Sequence, residues 1–313
     1  MRILVYGAGV IGCNLAADLY RNGKDVTLLA RGKWADTIEE KGLRIRPFCS
    51  FFEKKYDIPV IRQLEKDDYY DVIFVVMRYT QLNDVVGVLK ENISQNIVFT
   101  GNNVSCEAYV EKLEGKNVLF AFNMAAGHRE EGRVVSVSMK KITIGEYQGT
   151  GESEALIRSV FDGTDMKVAY EKNMGDYLLC HAAFVTPIGF ACYHCDGDLK
   201  KISRDREYLN QIIDANIEGY QAIEDLGHKI LPESDQDYHS EKYRRLCYFV
   251  YKVLCSTALG KICASDHALN AVGEMSAINQ GMKKLFEQAH ADHPVWKKLE
   301  EDAIRHLEKS GLI

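Results

Sequence analysis

The segment that most limits what this chain can fold into is a glycine-rich turn close to its N-terminus. The apolar run Ile3–Tyr6 predicts a buried β-strand, and residues 7–12, with the sequence GAGVIG, follow it at once. Helical spacing of apolar residues continues over Val10–Asn22. A strand, a G-x-G-x-x-G turn and a helix in this order are typical of a dinucleotide-binding βαβ unit.

Each position in this turn has a separate physical role. Gly7 permits the tight turn after the strand, Gly9 lets the backbone approach a pyrophosphate, and Gly12 lets the helix pack closely on the strand. Val10 and Ile11 open the helix, whose free N–H groups and positive dipole end would hold the pyrophosphate. The turn therefore predicts a dinucleotide site, and the alternative interpretation is a glycine-rich turn that binds no ligand.

The end of the next predicted strand indicates which dinucleotide is bound. An NAD site usually has an acidic residue about 20 positions after the fingerprint, where it binds the ribose 2′-hydroxyl. Here the strand Asp25–Leu29 is followed by Ala30-Arg31-Gly32-Lys33, which contains no carboxylate. Arg31 can bind a 2′-phosphate through two hydrogen bonds, and Lys33 adds positive charge. We therefore predict that the dinucleotide is NADPH. The alternative interpretation is that Arg31 and Lys33 belong to a solvated loop that binds no phosphate.

The two halves of the chain differ in the secondary structure that their apolar patterns predict. Strands and helices alternate through the first half, which predicts a doubly wound parallel sheet. Four segments continue this alternation after the second strand: Val72–Met77, Thr80–Lys90, Asn96–Thr100 and Asn117–Phe122. Arg133–Val137 and Lys141–Gly145 predict an antiparallel addition to the sheet. After about residue 170 only helical spacing recurs, so we predict an α/β Rossmann domain over residues 1–170 and an all-α domain over residues 171–313.

Composition narrows the class of protein further. The length of 313 residues suits two domains, and the net charge of -6 argues against non-specific binding to nucleic acid or to an anionic membrane. No apolar run approaches the ~20 residues needed to span a bilayer, so we expect a cytoplasmic protein without membrane contact. Cys192 and Cys195 are spaced like half a zinc site or a redox pair, but we interpret them as buried structural thiols.

Three further segments, together with the glycine turn, resemble the ketopantoate reductase family. They are Val75–Gln81, with the sequence VVMRYTQ, Thr100–Val104, with the sequence TGNNV, and Ile142–Glu146, with the sequence ITIGE. The resemblance covers nearly the whole chain, and its motifs lie in the first domain. It implies a Rossmann domain, a helical domain with a substrate cleft between the two, and NADPH-dependent reduction of a 2-oxo acid to a 2-hydroxy acid.

The resemblance also implies roles for single residues. Arg31 would meet the 2′-phosphate, and Arg78 stands where the family usually has a lysine near the cofactor. Asn102 matches an asparagine that lies beside the nicotinamide and the substrate. Independently, Asn102 follows the carboxyl end of a strand, where open α/β sheets bind ligands, although asparagine is also a common turn residue. The family often forms dimers through the helical domain, so a homodimer is expected.

The catalytic lysine that the resemblance implies is absent from this chain. Leu178 or Leu179 stands at its position, depending on how the segment is aligned. His181 lies three residues after Leu178 and therefore on the same helical face, where a protonated imidazole could bind the substrate carbonyl and deliver a proton. Glu274 corresponds to a family glutamate that holds the product hydroxyl. A core histidine and a structural carboxylate are the alternative interpretations.

These observations favour an NADPH-dependent reductase that acts on a small-molecule carboxylate. The absent lysine argues against ketopantoate itself as the substrate. Two other functions stay open from the sequence. One is an opine-type imine or carbonyl reductase, in which an amine adds before hydride transfer. The other is a nucleotide-binding sensor that keeps the fold without the chemistry.

Overall fold

The computed structural model describes every residue from Met1 to Ile313 and divides into two compact units. The first unit is Met1–Gly175 and the second is Asp176–Ile313. The division falls near the start of a long helix, Met174–His194, a few residues beyond the position expected from the sequence. Each unit has its own buried apolar core.

The first unit is built on a ten-stranded sheet with five helices. Its elements in chain order are β1 (Arg2–Tyr6), α1 (Val10–Tyr20), β2 (Asp25–Leu29), α2 (Gly32–Lys41), β3 (Leu43–Pro47), β4 (Lys54–Tyr56), β5 (Val60–Ile61), β6 (Val72–Val75), α3 (Asn83–Glu91), β7 (Asn96–Thr100), α4 (Cys106–Lys112), β8 (Asn117–Glu130), β9 (Arg133–Glu146), α5 (Glu154–Phe161) and β10 (Lys167–Tyr170).

The sheet is mostly parallel. Its strand order is β4-β3-β9-β8-β7-β6-β1-β2-β5, and β10 pairs with β9 outside this path. Neighbouring strands are parallel along the part of the sheet that runs β5-β2-β1-β6-β7-β8. Strand β8 pairs with β9, and β3 with β4, in antiparallel register. Strand β6 is buried along its whole length, as expected for a parallel strand covered on both faces. The predicted α/β fold with an antiparallel addition is confirmed.

The long hairpin of β8 and β9 differs from the expected pattern. Strand β8 does not stop at Phe122 but continues to Glu130, and the two short strands predicted after it form one continuous strand, β9. The register shifts between Asn123 and Ala125, where β9 carries extra residues around Lys140 that form a β-bulge in β9. The added length lets β9 pair with β3, through Ile45 and Val134. The sheet thus curls around α1, where the Ser136 hydroxyl donates to Asn14 Oδ1 at 2.9 Å.

The second unit is all-helical, as predicted. Its helices in chain order are α6 (Met174–His194), α7 (Leu199–Arg204), α8 (Arg206–Asp225), α9 (Glu241–Ser256), α10 (Ala258–Gly260), α11 (Asp266–Asn270), α12 (Val272–Ala289) and α13 (Pro294–Ser310). A single π-helical stretch, Lys261–Ser265, joins α10 to α11. Helices α11 and α12 are separated at Ala271, where the backbone leaves the helical region.

No single helix of the protein is both long enough and apolar enough to cross a membrane. One bent pair of helices, Glu241–Ser256 with Ala258–Asn270, reaches that length and apolarity only when its two halves are counted together.

Candidate functional site

Two glycines of the N-terminal turn are required by the packing of the protein itself. Gly7 has φ +125°, and a Cβ placed there would lie 2.1 Å from the Val76 carbonyl oxygen at the end of β6. A Cβ on Gly12 would lie 1.9 Å from the Gly7 carbonyl oxygen. Because both contacts are with backbone that cannot move aside, any side chain at Gly7 or Gly12 would force the turn and α1 off the sheet.

Gly9 is different, because no protein atom lies within 4 Å of a Cβ built on it. Its φ of -74° suits any residue, so neither strain nor packing explains the glycine. The space beside Gly9 adjoins the start of α1, where the first helical bond runs from Cys13 N to Gly9 O and leaves the N–H groups of Val10 and Ile11 without helical partners. The first turn of α1 carries no acidic side chain. A phosphate group fits this position.

Arg31 occupies the end of β2, one strand away from the turn. Its Nη2 donates to the Tyr6 hydroxyl at 2.8 Å, and its guanidinium lies 5.8 Å from the centre of the Tyr6 ring. No carboxylate pairs with Arg31 or with the exposed Lys33 in the first turn of α2. Ala30, beside them, is buried and apolar. The position where NAD sites carry an acid thus offers positive charge instead.

A third cation, which the sequence analysis did not single out, lies close to the same turn. Trp34 on α2 donates from Nε1 to the Ala8 carbonyl oxygen at 2.9 Å. The guanidinium of Arg129, in the extended part of β8, lies 5.6 Å from the centre of the Trp34 ring and forms no ion pair. The sequence carried no signal for it, because Arg129 reaches Trp34 only through the curl of the sheet.

Four polar side chains with unpartnered buried atoms lie at the carboxyl end of β7 and beside it, midway along β8. The atoms without a hydrogen-bond partner are Thr100 Oγ1, Asn102 Oδ1, Asn103 Nδ2 and both amide atoms of Asn123. Thr100 and Asn123 continue the face of the sheet that carries Ala121, which packs in the core with α1. Buried polar atoms are almost always hydrogen-bonded in folded proteins. This cluster is therefore suited to a polar ligand at the edge where open α/β sheets bind them.

Only part of this cluster could be predicted from the sequence. Asn102 was named, but Asn123 was missed because the predicted strand ended one residue before it. A polar residue directly after a buried strand was the available signal. Arg78, at the end of β6, caps a short 3₁₀ turn over Tyr79–Gln81, and its backbone N–H lies 3.4 Å from Gln81 Oε1. It is exposed at the same end of the sheet, and its role near a cofactor stays a prediction.

In the second unit, the structure brings together residues that the sequence analysis selected separately. His267 Nε2 lies 3.7 Å from Glu274 Oε2, and Glu274 is only 5% exposed. Burial, together with the nearby His267, lowers the pKa of His181 to about 4. The imidazole of His181 is therefore neutral at neutral pH, and its role as a proton donor stays a prediction. Leu178 is fully buried and Leu179 nearly so.

The fold consists of a Rossmann-type α/β unit followed by an all-helical unit. Residues 3–149 match the family described as ketopantoate reductase PanE/ApbA. The chain is thus similar to this family over its first domain. No curated protein matches it in sequence.

Solved structures with the same fold cover nearly the whole chain. D-mandelate dehydrogenase in a ternary structure with NADH and anilino(oxo)acetate has a TM-score of 0.80 at 15% identity, with 99% of each chain covered. The 2-dehydropantoate 2-reductase from Geobacter metallireducens GS-15 has a TM-score of 0.79 at 17% identity, with 99% of this chain and 100% of that chain covered. The PanE/ApbA family ketopantoate reductase from Ralstonia eutropha JMP134 has a TM-score of 0.77 at 16% identity, with 99% of each chain covered.

Proposed function

We propose that this protein is an NADPH-dependent reductase that converts a small 2-oxo acid to the corresponding 2-hydroxy acid. The observation that carries the proposal is the cluster of unpartnered buried polar atoms of Thr100, Asn102, Asn103 and Asn123. An apolar ligand would leave these atoms unsatisfied at a cost of about 1–3 kcal/mol each, whereas a carboxamide and a polar substrate can bond to them. The glycine turn at the same end of the sheet supplies the place for the phosphates.

The relatives support the class of substrate. The names 2-dehydropantoate 2-reductase and D-mandelate dehydrogenase both describe exchange between a 2-oxo acid and a 2-hydroxy acid. The choice of NADPH rests on this chain alone, since the structure of D-mandelate dehydrogenase holds NADH. It follows from Arg31 and Lys33, which face no carboxylate, and from Arg129 beside Trp34.

The reduction needs a hydride at the carbonyl carbon and a proton at the carbonyl oxygen. The reduced nicotinamide, when bound, supplies the hydride. We assign the proton to His181, because no lysine stands at Leu178 or Leu179. The ring is neutral in the ligand-free protein, but a bound carboxylate would favour its protonated form, so that substrate binding prepares the proton donor. We assign the hydroxyl of the product to Glu274, whose Oε2 lies 3.7 Å from His267 Nε2.

The experiment that tests this function is NADPH oxidation with a panel of 2-oxo acids, measured with and without an added amine. We expect turnover without the amine. A strict requirement for the amine would instead identify an opine-type reductase, and tight NADPH binding with no turnover on any acid would identify a sensor. His181→Gln should then lower kcat on the active acid while leaving NADPH affinity unchanged.

The cofactor assignment is tested in the same assay with Arg31→Ala. Loss of a charge-assisted phosphate contact should lower kcat/KM for NADPH by roughly 10- to 100-fold and leave the value for NADH nearly unchanged. Arg62→Ala is the matched control, because Arg62 already pairs with Asp36 and Glu39. Equal losses for the two cofactors in Arg31→Ala would overturn the NADPH assignment.

A further inference from the structure

A second group of ligand-type side chains lies in the helical unit, outside the residues assigned above. His194 ends α6, thirteen residues and therefore about 20 Å along the helix from His181. Asp302 and His306 lie one turn apart on α13. One ligand atom from each of these three side chains lies within 4.8 Å of the others, and all three are half-buried.

The arrangement of the three side chains suits a divalent metal ion. His194 Nδ1 is hydrogen-bonded to Asp302 Oδ2, and the centres of the His194 and His306 rings are 5.0 Å apart. Around a tetrahedral zinc ion with bonds of about 2.0–2.2 Å, ligand atoms are roughly 3.3–3.5 Å apart. Small rotations of the three side chains therefore close the present arrangement around an ion. Two imidazoles and one carboxylate favour zinc or a similar ion over magnesium or calcium.

An independent observation points to a ligand in the same place. The ring of Tyr208 packs on His194 with centres 4.5 Å apart, and Tyr208 is 7% exposed. Its hydroxyl oxygen is buried without a hydrogen-bond partner. Tyr208, His194 and Asp302 line one surface cavity of about 270 Å³. Three protein ligands leave a fourth position on zinc for water, and a water in this cavity would give the tyrosine hydroxyl a partner.

An ion pair between His194 and Asp302 without a metal accounts for fewer features of this cluster than a bound metal ion does. Asp302 is also bonded to Arg305 at 3.0 Å, so its charge is balanced without a metal. That pairing leaves His306 with no hydrogen bond and the Tyr208 hydroxyl unsatisfied. The cysteines that flank His194 do not complete a different site, because Cys192 and Cys195 are buried in the core.

We propose that His194, Asp302 and His306 bind one zinc-class divalent cation, with water as the fourth ligand. The ion joins the end of α6 to the C-terminal helix α13 and so stabilises the helical unit. It is separate from the reductase chemistry, so the site stands even if the proposed function fails.

The test uses the full-length chain without a purification tag, stripped of metal by a chelator and titrated with zinc chloride. We expect one equivalent per chain and a higher Tm in zinc. His306→Ala and His306→Gln should each weaken zinc affinity by at least about 100-fold, the loss of one of three ligands. The matched control is His290→Ala, an exposed histidine at the end of α12, which should bind like the wild type.

Exposed thiols are the competing ligands, and a second variant separates them. Cys49→Ser combined with Cys263→Ser removes both exposed cysteines and should leave the stoichiometric site intact. The proposal is overturned if the wild type takes up no stoichiometric zinc, if binding survives in both His306 variants, or if it disappears with the two cysteines. Circular dichroism of each variant without metal shows whether it is folded, and the glutamine variant keeps the volume near that of the histidine.

Discussion

The most informative single residue in the first unit is Asn123. Its side chain is 2% exposed and neither amide atom has a partner, a costly arrangement for a buried amide. Asn92, also buried, shows the ordinary alternative: its Nδ2 donates to the carbonyls of Glu65 and Asp68 and its Oδ1 accepts from Ser94 N. The contrast indicates that Asn92 serves the fold, and it supports the proposal that Asn123 binds a ligand.

This contrast predicts opposite effects for the same substitution at the two positions. Asn123→Leu should raise the free energy of unfolding by about 1–2 kcal/mol, because it removes an unsatisfied buried amide. It should also lower kcat/KM at least about 10-fold. Asn92→Leu should lower stability by about 2–3 kcal/mol, since three bonds lose their partner. Urea unfolding and the reductase assay measure both, and a destabilised but fully active Asn123→Leu would refute the role.

At the scale of elements, the turn between β1 and α1 combines two separate demands. Gly7 and Gly12 must be glycine because backbone atoms of the protein lie where their Cβ atoms would be, whereas the space at Gly9 is open. A G-x-G-x-x-G pattern read in a sequence does not separate the glycines that fold the turn from the one that leaves room for a ligand. The built structure separates them by the surroundings of each Cβ.

Alanine at each glycine should therefore produce a different failure. Gly9→Ala should fold with nearly unchanged Tm but bind NADPH at least about 10-fold more weakly, because its methyl group occupies the space left for the phosphates. Gly12→Ala should lose about 2 kcal/mol or more of stability, since its methyl group overlaps the Gly7 carbonyl. Fluorescence titration and thermal melting measure the two effects, and wild-type NADPH affinity in Gly9→Ala would count against the site.

At the scale of the whole molecule, the neutral state of His181 ties stability to pH. Its pKa is about 4 in the folded chain against an ordinary value of 6.5, so the unfolded chain binds more protons between those values. Stability contributed by the neutral ring is fully present above pH 6.5 and is lost as the pH falls toward 4. A difference of about 2.5 pH units corresponds to at most about 3 kcal/mol.

We therefore expect acid to destabilise the wild type more than His181→Gln. The difference in urea-unfolding free energy between pH 7 and pH 4.5 should be smaller in the variant by up to about 2–3 kcal/mol. His290→Gln, at an exposed position, should follow the wild type. If His181→Gln shows the same acid sensitivity as the wild type, burial does not keep this ring neutral.

Much of the fold could be predicted because its signals are local. The glycine turn, the buried parallel strands and the helical second half each follow from patterns within short windows. The positive charge at the end of β2 could also be predicted, because Arg31 and Lys33 directly follow this strand. Helix α2 was missed because only Ala35 and Ile38 along it are buried, too few to give a clear apolar period.

The sequence by itself determined most of the strands and helices and the glycine turn at which we propose a dinucleotide, because turn geometry and apolar periodicity act between near neighbours. Only the tertiary structure decided which distant side chains meet. The curl of the sheet places Arg129 on Trp34, the packing of α6 and α13 joins His194 to Asp302 and His306, and burial sets the charge of His181. These features depend on contacts between residues far apart in the chain, which no local pattern records.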